Sequence, residues 1–206
     1  VTATSPSHTG ITDTITPPPR AVRKHYTRQR LLRSATKLLL TDGYTATSID
    51  RIAEHAGFAR SEFFGHFDHL QQIGHDVADR LTRHAIRRIG CFQPRSDDQL
   101  VTTLALWASI LITRPGWIRL ELELAALGTA SRAQVIWRLN QLRNEVRDLL
   151  TSSTHQPDPC IDLDLTIPFL LSAIVGMATE DTGDLQVARA KSRDKVEFVL
   201  RTAGIS

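Results

Sequence analysis

Between Thr27 and His69 the chain sets up helical spacing and then interrupts it twice with glycine. Leu31, Leu32, Ala35, Leu38 and Leu39 recur at i, i+3 and i+4, which predicts an amphipathic helix with Thr27 as its N-cap and Gly43 as its stop. Ile49, Ile52, Ala53 and Ala56 repeat the pattern. Thr47, with Asp50 three residues on, opens that second helix as a short form of the capping box, and Gly57 ends it where a tight turn needs positive φ. A shorter segment runs from Ala59 to Gly65, and Phe58, Phe63 and Phe67 around it are the expected core contacts. Asp68 then caps a long helix reaching about Ile89. Such an order is the geometry of a helix-turn-helix, two helices forming a platform and the third offering a few side chains to a major groove. From spacing alone, three small packed helices of no special function explain the pattern equally well.

Charge adds a direction. The net charge of +3 is unevenly spread: residues 1–41 carry +6, residues 42–69 carry −3, and the remainder is neutral. From Arg20 to Thr41 there are seven cations (Arg20, Arg23, Lys24, Arg28, Arg30, Arg33, Lys37) and no anion. A block of this kind favours a polyanionic partner, most often nucleic acid, although a solvated helix face with a basic tail would read the same way. Residues 1–25 are rich in Thr, Ser and Pro and predict a disordered basic arm, because little apolar surface is available to offset ordering.

Downstream, everything reads as helix, so the expected fold is all-α with about nine helices. Residues 96–113 are apolar almost all round, as in a central buried helix. Leu120-Glu121-Leu122-Glu123-Leu124 alternates like a strand, yet Trp117, Leu120, Leu124 and Leu127 also fit helical spacing. Good helix formers and the lack of a partner strand decide for helix. Residues 131–150 form an amphipathic helix, Pro157 and Pro159 mark a loop, and the next helix starts near Asp164 with Pro168 in its first turn. Residues 184–203 form the last helix. The longest apolar run, Leu165 to Ala178, is 14 residues long, short of the roughly 18 that suggest a membrane span. With no apolar leader and no cysteine framework around Cys91 and Cys160, a cytoplasmic protein is expected.

The run from Thr45 to Phe58 (TATSIDRIAEHAGF), followed by Phe63-Phe64-Gly65-His66-Phe67 and preceded by Thr41-Asp42-Gly43-Tyr44, resembles the DNA-binding domain of the tetracycline-repressor (TetR) family. The resemblance covers roughly residues 27–89. It implies a helix-turn-helix domain over 26–70, with the motif at about 47–66, and a helical ligand-sensing and dimerisation domain over 71–206. It further implies a homodimer, paired through its last two helices, on a pseudo-palindromic double-stranded DNA operator, with an unknown small-molecule effector and most often a repressing role. By position, Arg60, Ser61 and Glu62 open the recognition helix, Arg60 reading a base with its guanidinium fork. Ser48, Phe64 and His66 would lie at the DNA backbone, Thr27 and Arg28 at a flanking phosphate, and Arg20, Arg23 and Lys24 on an arm in an adjacent minor groove.

Three residues depart from the family pattern. Phe64 stands where Tyr is usual, Leu70 where a Lys opens the fourth helix, and Glu62 where a small hydroxyl residue is usual. Each removes or opposes a phosphate contact, so a rival reading is a TetR-like protein that has lost DNA binding and serves as a ligand-binding or protein-interaction module. Glu62 could instead accept from cytosine N4. Trp107, Trp117 and Trp137, on three different helices, could wall an apolar ligand cavity together with Glu121, or be ordinary core and surface. Arg119 and Glu123 could join that pocket or simply pair at the surface. His66, His69 and His75 lack a completing ligand set, so no metal is expected. No nucleophile elbow, phosphate loop or zinc-protease helix is present, so neither an enzyme nor a cofactor is expected.

Overall fold

The computed structural model describes residues 20–92, 94–112, 114–151, 162–178 and 185–202. Residues 1–19 of the expected arm, the loop at Pro157 and Pro159, and Cys160 lie outside the described residues. Among the described residues the chain is all-helical: α1 Arg20–Thr41, α2 Ile49–Ala56, α3 Arg60–Phe64, α4 Leu70–Gly90, α5 Asp97–Ile112, α6 Pro115–Ala126, α7 Thr129–Leu150, α8 Leu163–Ala178 and α9 Leu185–Thr202. None of these helices is long and apolar enough to cross a membrane.

The apolar stripe of α1 is buried as its spacing predicts, at Leu31, Leu32, Ala35, Leu38 and Leu39. Its start is not. The helix begins at Arg20 rather than at a Thr27 cap, so Arg20, Arg23 and Lys24 are helical and not part of a disordered arm. Gly43 ends the helix with φ +92. The cap of α2 also moves by one residue. Ser48 accepts from the Arg51 amide, while the hydroxyl of buried Thr47 donates to the Gly43 carbonyl at 2.6 Å and so ties down the preceding turn. Gly57 closes α2 in the left-handed region at φ 76, its amide returning to the Ala53 and Glu54 carbonyls.

Phe63 is fully buried and stacks on buried Phe67 with ring centroids 5.4 Å apart, which anchors the five-residue α3 that could not hold itself together alone. Phe58 is partly buried against the same cluster. His69, not Asp68, caps α4. Its Nδ1 accepts from the Gln72 amide at 3.0 Å, and the Gln72 side chain accepts from the Asp68 amide at 2.6 Å, a reciprocal arrangement like a capping box.

α4 belongs to both halves of the molecule: Ile73, Val77, Ala78, Leu81, Ala85 and Ile89 enter one continuous core shared with α1 and with the C-terminal helices. α5 packs against α8 and α9, and α6 and α7 pack against α4. α6 is a helix, with Trp117, Leu120 and Leu124 buried at helical spacing. Pro168 lies inside α8, at its sixth residue, rather than in the first turn. Asp162 starts the helix earlier, its carboxylate accepting from the Asp164 and Leu165 amides and its carbonyl from the Thr166 amide.

Candidate nucleic-acid interface

α2, α3 and the first turns of α1 present one exposed polar surface. Burial of Phe63 fixes which side of α3 faces out. Arg60, Ser61, Glu62 and Phe64 are all exposed there. Arg60, the residue expected to read a base, has a side chain 55% exposed. Its Nη1 is ion-paired with Asp50 in the first turn of α2, and its guanidinium lies 5.4 Å from the centroid of the Phe64 ring. Ser48 sits at the exposed N-terminus of α2, its hydroxyl oxygen occupied as the cap.

Arg20, Arg23, Lys24 and Thr27 follow i, i+3, i+4, i+7 spacing and so share one face of α1. They line a groove of about 550 Å³ with Phe58, Glu62, Gly65 and His66. Over Arg20 to Lys24 the expected arm is thus helical, a basic ridge beside α3. Glu62 is the carboxylate in that groove and offsets part of its charge. His66 is half-buried, with Nδ1 lacking a partner among the described residues. Burial, followed by the nearby Lys24, holds its pKa below the ordinary histidine value.

Arg28 takes another direction. Its guanidinium is ion-paired with Asp76 and lies 4.9 Å from the Phe67 ring centroid, so it joins α1 to α4 while its side chain stays 41% exposed. Leu70 opens α4 packed against the core.

The three tryptophans do not converge. Trp107 and Trp117 are buried core, and Trp137 is 56% exposed. Glu121 is committed to ion-pair and hydrogen-bond partners. It accepts from Arg138 through both oxygens (2.6–3.1 Å) and from the Trp117 indole at 3.2 Å. Arg138 is 1% exposed and also reaches Asp79 at 3.0 Å and His75 Nδ1 at 3.2 Å. Ser131 donates to the Leu124 carbonyl, so His75 Nε2 must be the donor of its 2.8 Å bond to Ser131 and Nδ1 the acceptor from Arg138. Burial and then Arg138 press the His75 pKa below the ordinary value, keeping it neutral. The sequence reading missed Arg138. The available signal was its register: it shares an α7 stripe with Val135 and Leu142, a cation on an otherwise apolar face.

Arg119 and Glu123 reach instead to the turn between α1 and α2. Arg119 donates to the Thr41 carbonyl at 2.9 Å and the Leu40 carbonyl at 3.2 Å. Glu123 accepts from the Tyr44 amide at 2.7 Å and the Thr45 hydroxyl at 3.2 Å. Beside them α6 passes so close to α1 that a Cβ on Gly116 would lie 1.9 Å from the Leu40 carbonyl oxygen.

Compared with known proteins, residues 31–71 match the sequence model of the family described as bacterial regulatory proteins, tetR family. Among solved structures the fold is similar to the transcriptional regulator FadR of Bacillus subtilis in complex with stearoyl-CoA. The identity is 17% and the TM-score 0.69, over 86% of this chain and 99% of that one. It is similar too to the TetR-family regulator PfmR of Thermus thermophilus (20% identity, TM-score 0.67, 84% and 95% of the two chains). GusR of Salmonella enterica shows the same likeness (16%, 0.64, 86% and 95%). At these identities the likeness is one of fold, and it extends over the helices after α4 (the body) as well as α1–α3 (the head).

Proposed function

On the premise of a tetR-family N-terminal domain set on a helical body, we propose that this chain is a DNA-binding transcriptional regulator. It acts as a repressor and as a homodimer on a pseudo-palindromic operator, under the control of a small-molecule effector. The observation that carries this reading is the exposed side of α3, anchored from behind by Phe63 and flanked by the basic ridge of Arg20, Arg23 and Lys24. α3 enters the major groove with Arg60, Ser61 and Glu62 at base edges. Ser48, Phe64, His66, Thr27 and the basic ridge follow the sugar-phosphate backbone.

Two features of the body support the rest. Leu165, Phe169, Val175, Val187 and Phe198 on α8 and α9 are exposed, the kind of apolar surface that a second copy covers. The FadR of Bacillus subtilis, solved with stearoyl-CoA, supports a body that holds an effector. Arg119, Glu123 and the Gly116 contact then form the route by which a shift of α6 reaches the end of α1. The site of action on this reading is the cytoplasm.

The test is binding of the purified chain to duplex fragments of its own genome across a salt series. Tight binding to a pseudo-palindrome, with affinity falling steeply as salt rises and weakened in Arg60→Ala, is the expected result. Binding that is weak, indifferent to sequence and unchanged in Arg60→Ala overturns the proposal.

A further inference from the structure

Arg60 is not a lone base reader. It is held from two sides. Asp50, from the first turn of α2, engages Nη1, and the guanidinium carbon lies over the ring of Phe64, one turn along α3, 5.4 Å from its centroid. Nε and Nη2 find no acceptor among the described residues, so that edge of the fork is available. All three side chains are exposed, Arg60 at 55%, Asp50 at 62% and Phe64 at 47%, so neither contact serves to fill the core.

An exposed ion pair contributes little to stability, and an exposed aromatic ring on a polar surface contributes less than a buried one. Both features gain a physical purpose if they restrict the guanidinium. A long arginine side chain has many rotamers, and binding a base edge requires one of them. A carboxylate at Nη1 and a ring beside the guanidinium reduce the directions open to the remaining donors before any partner arrives. Two donors so fixed match the paired acceptors O6 and N7 of guanine.

We propose that Asp50 and Phe64 are positioning residues that lock Arg60 for guanine recognition, so that α2 takes part in sequence specificity without touching a base. The inference rests on the reading of Arg60 as a base contact. It makes an unusual demand of Asp50, whose negative charge opposes DNA in general. Neutralising it strengthens attraction to phosphate while loosening the reader. Affinity for arbitrary DNA and discrimination between bases therefore move in opposite directions, a split that an Asp50 serving only to stabilise α2 would not produce.

The experiment uses the full chain and duplexes selected by the wild-type protein from a random-sequence pool. Binding is read by fluorescence anisotropy on the selected duplex, on versions in which each guanine is replaced by 7-deazaguanine, and on an unrelated duplex. The proteins are wild type, Arg60→Ala, Asp50→Asn, Phe64→Leu and Phe64→Tyr, each checked for an unchanged melting temperature. Arg60→Ala is expected to become indifferent to one particular guanine. Asp50→Asn and Phe64→Leu are expected to lose about fivefold or more of the discrimination at that same guanine. Asp50→Asn should bind the unrelated duplex as tightly as wild type or tighter, and Phe64→Tyr, which keeps the ring, should retain discrimination. If Arg60→Ala loses the guanine while Asp50→Asn and Phe64→Leu keep it, the positioning role is overturned and the base contact stands. If Arg60→Ala is indifferent everywhere, or the pool yields no preferred sequence, the base contact fails and the positioning role falls with it.

Discussion

Two arginines show how differently the head and the body use charge. Arg60, on the outer side of α3, is more than half exposed and has one carboxylate partner. Arg138, in the body, is 1% exposed and is satisfied by Glu121, Asp79 and His75 from two other helices. The first pair adds little to stability, because water competes for both ions, and on the proposal above its effect is on where the guanidinium points. The second cannot be opened without leaving charge in a low-dielectric interior. The outer side of α3 keeps its charges wet. A body that must hold α4, α6 and α7 in register keeps them dry and fully bonded.

Breaking the body side of this contrast has the largest expected effect. Arg138→Met leaves the Glu121 carboxylate, which is mostly buried, without its cation, and should destabilise the fold by about 3–5 kcal/mol in chemical denaturation. A loss below about 1 kcal/mol would mean that the network is replaceable packing and that the contrast with Arg60 is only one of exposure. Next comes the contact between the two regions. Gly116→Ala drives a Cβ into the Leu40 carbonyl and should cost about 1–3 kcal/mol. It should also weaken DNA binding, since α6 can relieve the clash only by moving off the end of α1; intact DNA binding in a destabilised variant would detach α6 from the head.

A smaller effect separates the regions by pH. The His75 pKa is lowered in the folded state, so folding favours its neutral form. Its contribution to stability is complete above the unfolded value near 6.5 and is lost as pH falls from there through the folded pKa. Melting temperatures compared between pH 7.5 and pH 5.5 should fall more for the wild type than for His75→Gln. An equal fall would place the acid sensitivity elsewhere, in His66 or His84, whose pKa values are also lowered. The smallest expected effect belongs to Arg60→Ala, which should change stability by no more than about 0.5 kcal/mol while changing DNA recognition. A larger loss of stability would make Arg60 part of the scaffold and erase the contrast.

Much of the head was legible because its signals are local. The stripe of α1, the stops at Gly43 and Gly57, and the anchoring of α3 by Phe63 and Phe67 all follow from neighbours within a turn or two. The errors were local in another sense. At Thr47 and Ser48, and again at Asp68 and His69, two adjacent residues can both cap a helix, and the choice depends on which side chain the next turn leaves room for. Thr47 is drawn inward to the Gly43 carbonyl, so Ser48 takes the cap. The helical start at Arg20 was hidden for a different reason. Its periodic residues are cations, and apolar spacing is silent about a helix whose recurring face is charged.

The sequence by itself determined the all-helical class, the order and approximate limits of the helices, and the side of α3 that faces outward. Periodicity, glycine and burial of aromatic residues act over a few residues and need no knowledge of how helices cross. Tertiary structure alone decided which charges are paired within the protein. Arg28 turns to Asp76, Arg119 and Glu123 grip the α1–α2 turn, and Arg138 meets Glu121, Asp79 and His75 across 17, 59 and 63 positions of chain. Coulomb attraction does not depend on sequence separation. It is set by distance and by the exclusion of water, and both are settled only when the helices have packed.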